Sequence, residues 1–171
     1  MTRHSTGSHV ANTGKTREAS ESMVLVYSAK VRKGRDRFLV TFRDLKNAFA
    51  EGATLEEAVF NARQALDGVL ASMLDHGLEI PVPTAPRRGE YEVPVGLAIS
   101  APLSLYLMRK RMNLTMAQVA EALGVTYQRY QSIEKPGANI TAKTLQAAAA
   151  AMGAVVELKI KPVRTLKLAG V

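Results

Sequence analysis

The sequence predicts an α+β chain of two small units. A small sheet of about three strands under one long helix comes first, and a helical unit built round a helix–turn–helix follows. Three observations carry this. Residues 23–84 hold two runs rich in valine and phenylalanine, joined by a charged turn and followed by a capped helix with a single apolar stripe. Residues 115–136, TMAQVAEALGVTYQRYQSIEKP, read as two short helices joined by a tight turn. Charge is unevenly divided: residues 23–84 carry eight Lys/Arg against eight Asp/Glu, while residues 85–171 carry twelve against five, so +7 of the net +8 falls in the second half.

Taken in order, residues 1–22 are rich in Ser, Thr, Gly and His and lack the apolar core of a signal peptide. They are expected to be a disordered tail, with His4 and His9 solvated rather than acting as ligands. Met23 directly precedes the first strand-like run, VLVYSAKV, which holds Val24, Val26, Ala29 and Val31. Lys33, Gly34, Arg35 and Asp36 make a charged hairpin turn. In the second strand Phe38, Val40 and Phe42 share one face. Residues 47–51 read as a short third strand ending at Gly52. Thr54 and Glu57 then form a capping box, each side chain satisfying a free backbone N–H at the start of a helix. Leu55, Ala58, Val59, Ala62, Leu66, Val69, Leu70 and Met73 line its apolar stripe, and Gly77 ends it. His76 falls at the C-terminal end, where the helix dipole favours a cation. The Ile-Pro-Val-Pro segment over 80–83 leaves the unit extended, and a cut after residue 84 is expected to release a folded domain.

Asp36, Asp44, Glu51, Glu56, Glu57, Asp67 and Asp75 have the spacing of caps, turns and a solvated face. A catalytic or metal-binding pair would have to converge in a cleft. No catalytic residue, metal or cofactor is expected. The chain has no cysteine, which excludes disulfides, thiol nucleophiles and Cys-ligated zinc. No apolar run reaches the length of a membrane span, and the expected location is the cytoplasm.

Residues 85–101 read as a linker, rich in proline and charge, with a short extended segment over 92–95. The second unit is expected over 102–162, and residues 163–171 form a tail. Its first helix is expected to begin at Ser100 or Ala101, with Pro102 in the first turn. Leu103, Leu105, Tyr106, Leu107 and Met112 supply its apolar side, and Arg109, Lys110 and Arg111 form a basic run. Thr115 caps the next helix, in which Met116, Val119, Ala120 and Leu123 recur at helical spacing. Ala120 is small enough for a second helix to cross close by. Gly124 can take the left-handed conformation that ends a helix, and Val125 turns inward. Thr126 caps the following helix, which buries Tyr130 and Ile133. Thr141 caps the last helix, which ends at Gly153, and its alanine run over 147–151 suits close packing. Residues 155–160 alternate like a strand. A lone strand is unstable, so this one is expected to pair with residues 92–95 or with its mate in a second subunit.

The candidate DNA-binding residues are Thr126, Tyr127, Gln128, Arg129, Gln131 and Ser132. Gln bonds bidentately to adenine and Arg to guanine, while Ser and Tyr reach bases or phosphates. Such residues near the start of a recognition helix meet the floor of the major groove. The competing reading is a helical bundle with a polar face. The positive charge gathered in the same half of the chain, where phosphate neutralisation would use it, favours DNA.

On these residues, the stretch over about 23–162 resembles the HicB-type antitoxins of bacterial toxin–antitoxin pairs. The family carries a D-L-P-G-C-type segment, then G-x-T-x-E-E-A at the start of a long helix, then a proline-rich exit. Asp44, Leu45, Gly52, Thr54, Glu56, Glu57, Ala58, Pro81 and Pro83 match it, whereas Lys46, Asn47 and Ala48 stand where Pro, Gly and Cys are usual. The E-V-P-V and M-G-x-x-V-E-L-K-I segments are similar to family members that carry a helix–turn–helix. The resemblance implies a partial RNase H-like fold without nuclease activity. It implies a cognate HicA-type toxin, small and basic, that cleaves messenger RNA. It also implies binding to operator DNA as a homodimer or higher homo-oligomer. The helix–turn–helix resembles that of phage-type repressors, which usually carry Gln where this chain has Met116. Carried over by position, the base readers are Tyr127, Gln128 and Ser132, flanked by Arg129 and Gln131. The alternative is a stand-alone helix–turn–helix regulator whose N-terminal domain senses a ligand, and it predicts a pocket between the sheet and the long helix. A nuclease would instead require convergent acids.

Overall fold

The computed structural model describes residues 25–158 and 160. The expected tails over 1–22 and 163–171 lie outside them. Four antiparallel strands form one sheet in the order β3-β2-β1-β4: β1 is Val26–Lys33, β2 is Phe38–Phe42, β3 is Phe49–Gly52 and β4 is Tyr91–Pro94. Helix α1, Leu55–Asp75, covers one face. Side chains alternate across a strand. Tyr27 and Ala29, Val40 and Phe42, and Val93 therefore all turn toward α1, where Ala58, Ala62, Leu66 and Leu70 are fully buried. Each fully buried leucine contributes roughly 1.5–3 kcal/mol. Only half of the expected capping box forms: Thr54 caps α1 by accepting from Glu57 N at 3.1 Å, while the Glu57 carboxylate accepts at 2.8 Å from Ala53 N, one residue before the cap, rather than from Thr54 N. Gly52 is required by contact: a Cβ there would sit 2.3 Å from the backbone nitrogen of Ala58. The unusual Lys46, Asn47 and Ala48 still make a closed turn, with Ala48 N donating to Leu45 O at 3.0 Å and both Leu45 and Ala48 buried.

The stretch after α1 corrects the expected linker. Residues 80–90 fold back along the sheet. Tyr27 donates to Pro81 O at 2.8 Å, and Ser28 donates to Thr84 O at 2.9 Å. Asp44 accepts from Thr84 N at 2.9 Å, and Arg43 reaches Glu90 at 2.6 Å and Ala85 O at 2.8 Å. These bonds deliver β4 to the free edge of β1, where Val26 pairs with Pro94 and Ala29 with Tyr91. The segment over 92–95 thus belongs to the N-terminal sheet. The Tyr27 hydroxyl is pushed up to about 12, first by burial and then by the nearby Asp44 charge.

Helix α2, Leu97–Arg111, begins three residues before the earliest expected start. Its N-cap, Gly96, donates to Asp67 Oδ1 of α1 at 2.8 Å. Pro102 therefore lies inside the helix rather than in its first turn. A proline has no N–H to give the carbonyl four residues back. That carbonyl, Ala98 O, instead accepts from Gly137 N at 3.3 Å. Along α2, Leu103 enters the first core and Leu105 the second. Met112, expected on the apolar side, is half exposed at the helix end.

Three further helices, α3 (Met116–Leu123), α4 (Tyr127–Ile133) and α5 (Ala142–Ala151), close round Leu105, Val119, Ala120, Tyr130, Ile133, Ala148, Ala149 and Met152. The expected terminal strand does not form among the described residues: residues 154–158 are irregular, and Val155 and Leu158 are strongly exposed. Its proposed mate, the 92–95 segment, is already laddered to β1, and a strand with no ladder partner gains too little to order itself.

Candidate nucleic-acid interface

The turn between α3 and α4 follows from its residues. Thr115 Oγ1 accepts from Gln118 N at 3.2 Å, and Gln118 Oε1 accepts from Thr115 N at 2.8 Å, a full reciprocal box. The Thr-x-x-Gln signal for it stands in the sequence and went unread. Gly124 ends α3 with φ at +71°, where a side chain would strain the backbone, and Val125 N donates back to Ala120 O at 2.9 Å. Thr126 then caps α4 by accepting from Arg129 N at 3.2 Å. Val119 and Ala120 on α3 are buried against Tyr130 and Ile133 on α4.

All six candidate residues, Thr126, Tyr127, Gln128, Arg129, Gln131 and Ser132, are exposed. They are not equivalent. The Thr126 hydroxyl is engaged as a cap, and Ser132 Oγ donates to Arg129 O of its own helix at 2.7 Å. Tyr127, Gln128, Arg129 and Gln131 make no side-chain hydrogen bond or ion pair among the described residues.

What holds α4 was not visible in the sequence. Arg109 of α2 is buried, donating from Nε and Nη2 to the two carboxylate oxygens of Glu134 at 2.7 Å each, and from Nη1 to Leu114 O at 3.1 Å. The Tyr130 hydroxyl donates to Glu134 Oε1 at 2.7 Å. The hydrogen bond to Glu134 holds the guanidinium proton more firmly than usual, and burial, followed by the same carboxylate, raises the Tyr130 hydroxyl. Arg109, the first member of the basic run, is therefore a structural anchor whose charge is matched by Glu134. Lys110 remains exposed.

Beside this anchor lies a cleft of about 480 Å³, lined among others by Lys110, Asn113, Thr115, Met116, Ala117 and Tyr127. Asn113 takes a positive φ of 54°, which turns the chain sharply into α3. The cleft thus gathers one lysine, one tyrosine and the N-terminal turn of α3.

Residues 26–103 match the family model of the HicB-like antitoxin of bacterial toxin–antitoxin systems, and residues 105–155 match the helix–turn–helix family. The chain carries a HicB-like antitoxin domain followed by a helix–turn–helix domain. Among curated proteins no match is found. The two matches meet inside α2, between the leucine that enters the antitoxin core and the one that enters the helix–turn–helix core. The two matches together support the reading of an antitoxin with DNA binding and transcription regulation.

The acids of the antitoxin domain are dispersed. Asp44 binds Thr84, and Glu51 pairs with Arg37 at 3.7 Å on the surface. No group of three or more His, Asp or Glu side chains converges on a metal position among the described residues. Tyr27, Leu66 and Leu70, all at 0% exposure, pack in the contact between sheet and α1, where the alternative reading expects a pocket. No helix among the described residues is long and apolar enough to cross a membrane.

Proposed function

We propose that this protein neutralises a small basic mRNA-cleaving toxin of the HicA type by direct binding, and represses its own operon in the cytoplasm by sequence-specific binding to operator DNA. It does so as a homodimer or larger homo-oligomer and without enzymatic activity of its own. The observation that carries the reading is α4. Its Tyr127, Gln128, Arg129 and Gln131 side chains make no hydrogen bond or ion pair among the described residues, on a helix fixed from below by buried Tyr130, Ile133 and Glu134. A rigid helix with free bidentate groups is what direct readout of base edges needs. Gln128 suits adenine and Arg129 suits guanine, with Thr126 and Ser132 flanking them.

The neighbouring cleft suits a backbone phosphate. The first turn of a helix leaves N–H groups without intrahelical acceptors, and Lys110 and the Tyr127 hydroxyl border the same space. Met116 replaces the Gln of phage-type repressors, which removes a side-chain contact and leaves the backbone donors in place. One such helix covers only a few base pairs, so two copies set ~34 Å apart are needed on a palindromic operator. Exposed Val155, Leu158 and Ile160, together with the outer face of α5, are the proposed contact between copies.

A gel-shift with the DNA upstream of the gene, run against random duplex at two salt concentrations, tests the repressor half. The upstream DNA is expected to bind tighter, with affinity falling as salt rises. Equal affinity for both duplexes would sink it. Co-expression with the neighbouring gene tests the other half: the expected result is a stable complex and relief of growth arrest.

A further inference from the structure

Helix α1 covers only one side of the sheet. On the other side alternation places Lys30 and Arg32 of β1, Leu39 and Thr41 of β2, and Phe49 and Glu51 of β3. The register sets them in two rows, Lys30 beside Thr41 beside Phe49, and Arg32 beside Leu39 beside Glu51. Adjacent strands lie about 4.8 Å apart, so each row spans about 10 Å. Phe49 is 62% exposed, so its ring contributes little to the core. The second row runs into the β1–β2 hairpin, where a concavity of about 560 Å³ is lined by Arg32, Lys33, Arg35 and Arg37 against Asp36 and Glu51. Arg37 is paired with Glu51, whereas Lys30, Arg32 and Arg35 have no acidic partner among the described residues.

We propose that this open face binds single-stranded RNA, with Phe49 stacking on a base, Thr41 bonding to the sugar or base edge, and Lys30, Arg32 and Arg35 neutralising phosphates. Charge selects the class of partner, since Lys30 and Arg32 on the face and Arg35 in the adjoining hairpin, without an acidic partner among the described residues, repel one another until a polyanion arrives. The exposed ring selects an unpaired strand, because a duplex hides its base faces while a single strand offers them. RNA rather than DNA is the occupant because unpaired stretches in a cell are mostly RNA. The face is separate from the operator-reading helix. β1 begins beside Pro94, next to the start of α2, and runs away from it for eight residues to the hairpin, a strand length of roughly 23 Å. The inference does not depend on operator recognition.

The test is fluorescence anisotropy of the full chain with a labelled U-rich RNA of about a dozen nucleotides, DNA of the same sequence, and duplex DNA. Phe49→Ala is expected to weaken RNA binding about tenfold or more, with Phe49→Tyr retaining it. Arg32→Ala with Arg35→Ala should lower both the RNA affinity and its salt dependence. Neither change should move duplex binding, and Arg129→Ala should do the reverse. These side chains are exposed, and unchanged melting temperatures would confirm intact folding. RNA binding that ignores all of these sheet-face variants would place the RNA on the basic helical unit and overturn the proposal. Single-stranded DNA bound as tightly as RNA would overturn RNA as the occupant. Loss of toxin binding with RNA binding intact would make the face a protein interface instead.

Discussion

A guanidinium removed from water is tolerable only when its charge is matched and its donors find acceptors. Arg109 meets both conditions through Glu134 and Leu114 O, and Glu134 in turn accepts a hydrogen bond from the Tyr130 hydroxyl. Removing one partner strands the other. Glu134→Ala is therefore expected to destabilise the fold by about 3–5 kcal/mol, while replacing the pair together, Arg109→Met with Glu134→Leu, should recover most of that loss. Urea denaturation of the three proteins checks it. A second expectation concerns alkali. Tyr27 and Tyr130 both hold their protons more firmly when folded than the usual tyrosine value of 10.0. Above pH 10 the unfolded chain loses these protons first, so stability is complete below that point and falls as pH rises toward the folded values. For Tyr27, raised to about 12, the loss amounts to roughly 2–3 kcal/mol. Thermal melts from pH 8 to 12 should show the fall, and Tyr27→Phe should flatten it.

At the scale of single elements, α4 divides its labour between an inner face that fixes it and an outer face left free. Arg129→Ala or Gln128→Ala should weaken operator binding by ~1–3 kcal/mol for each lost bidentate contact, with melting temperature and toxin neutralisation unchanged. A parallel loss of both functions would expose a folding defect. Gly124→Ala meets open space, so its cost is only that of the left-handed backbone, roughly 1–2 kcal/mol. The local devices were legible in the sequence. Thr54, Thr115, Thr126 and Thr141 each act as caps where the pattern put them, and Gly124 ends its helix as read. Their physics is complete within four or five residues. The anchoring role of Arg109 was not legible because its partner lies 25 residues away, at the end of another helix. The pairing of residues 155–160 with 92–95 was misread because alternation reports a pattern of faces and does not say which ladder partner is free.

Across the whole molecule, the order of the two units and the sheet-plus-helix character of the first could be read from periodicity and charge. The boundary between them could not. Residues 85–101 look like a linker by composition, yet contacts from residues as far back as Ser28 and Arg43 fold the preceding segment onto the sheet and insert β4. A fragment ending at residue 84 lacks β4, Val93, Val95 and Leu103, all part of the first unit. It is now expected to be unfolded or to aggregate through the bared edge of β1. A fragment ending at residue 112 should fold, and circular dichroism with size-exclusion chromatography of the two distinguishes them.

The carbonyl of Ala98 has a wider consequence. Its proline four residues on leaves it without a donor in its own helix, and the loop after the reading helix supplies one through Gly137. A chimaera that grafts a foreign reader onto this sheet-and-helix unit just past Arg111 would discard that donor and bare an amide oxygen near the seam. Swapping the reader alone is therefore not a neutral operation. A workable graft must bring a loop that returns to α2, or replace Pro102 with a residue that restores the native turn.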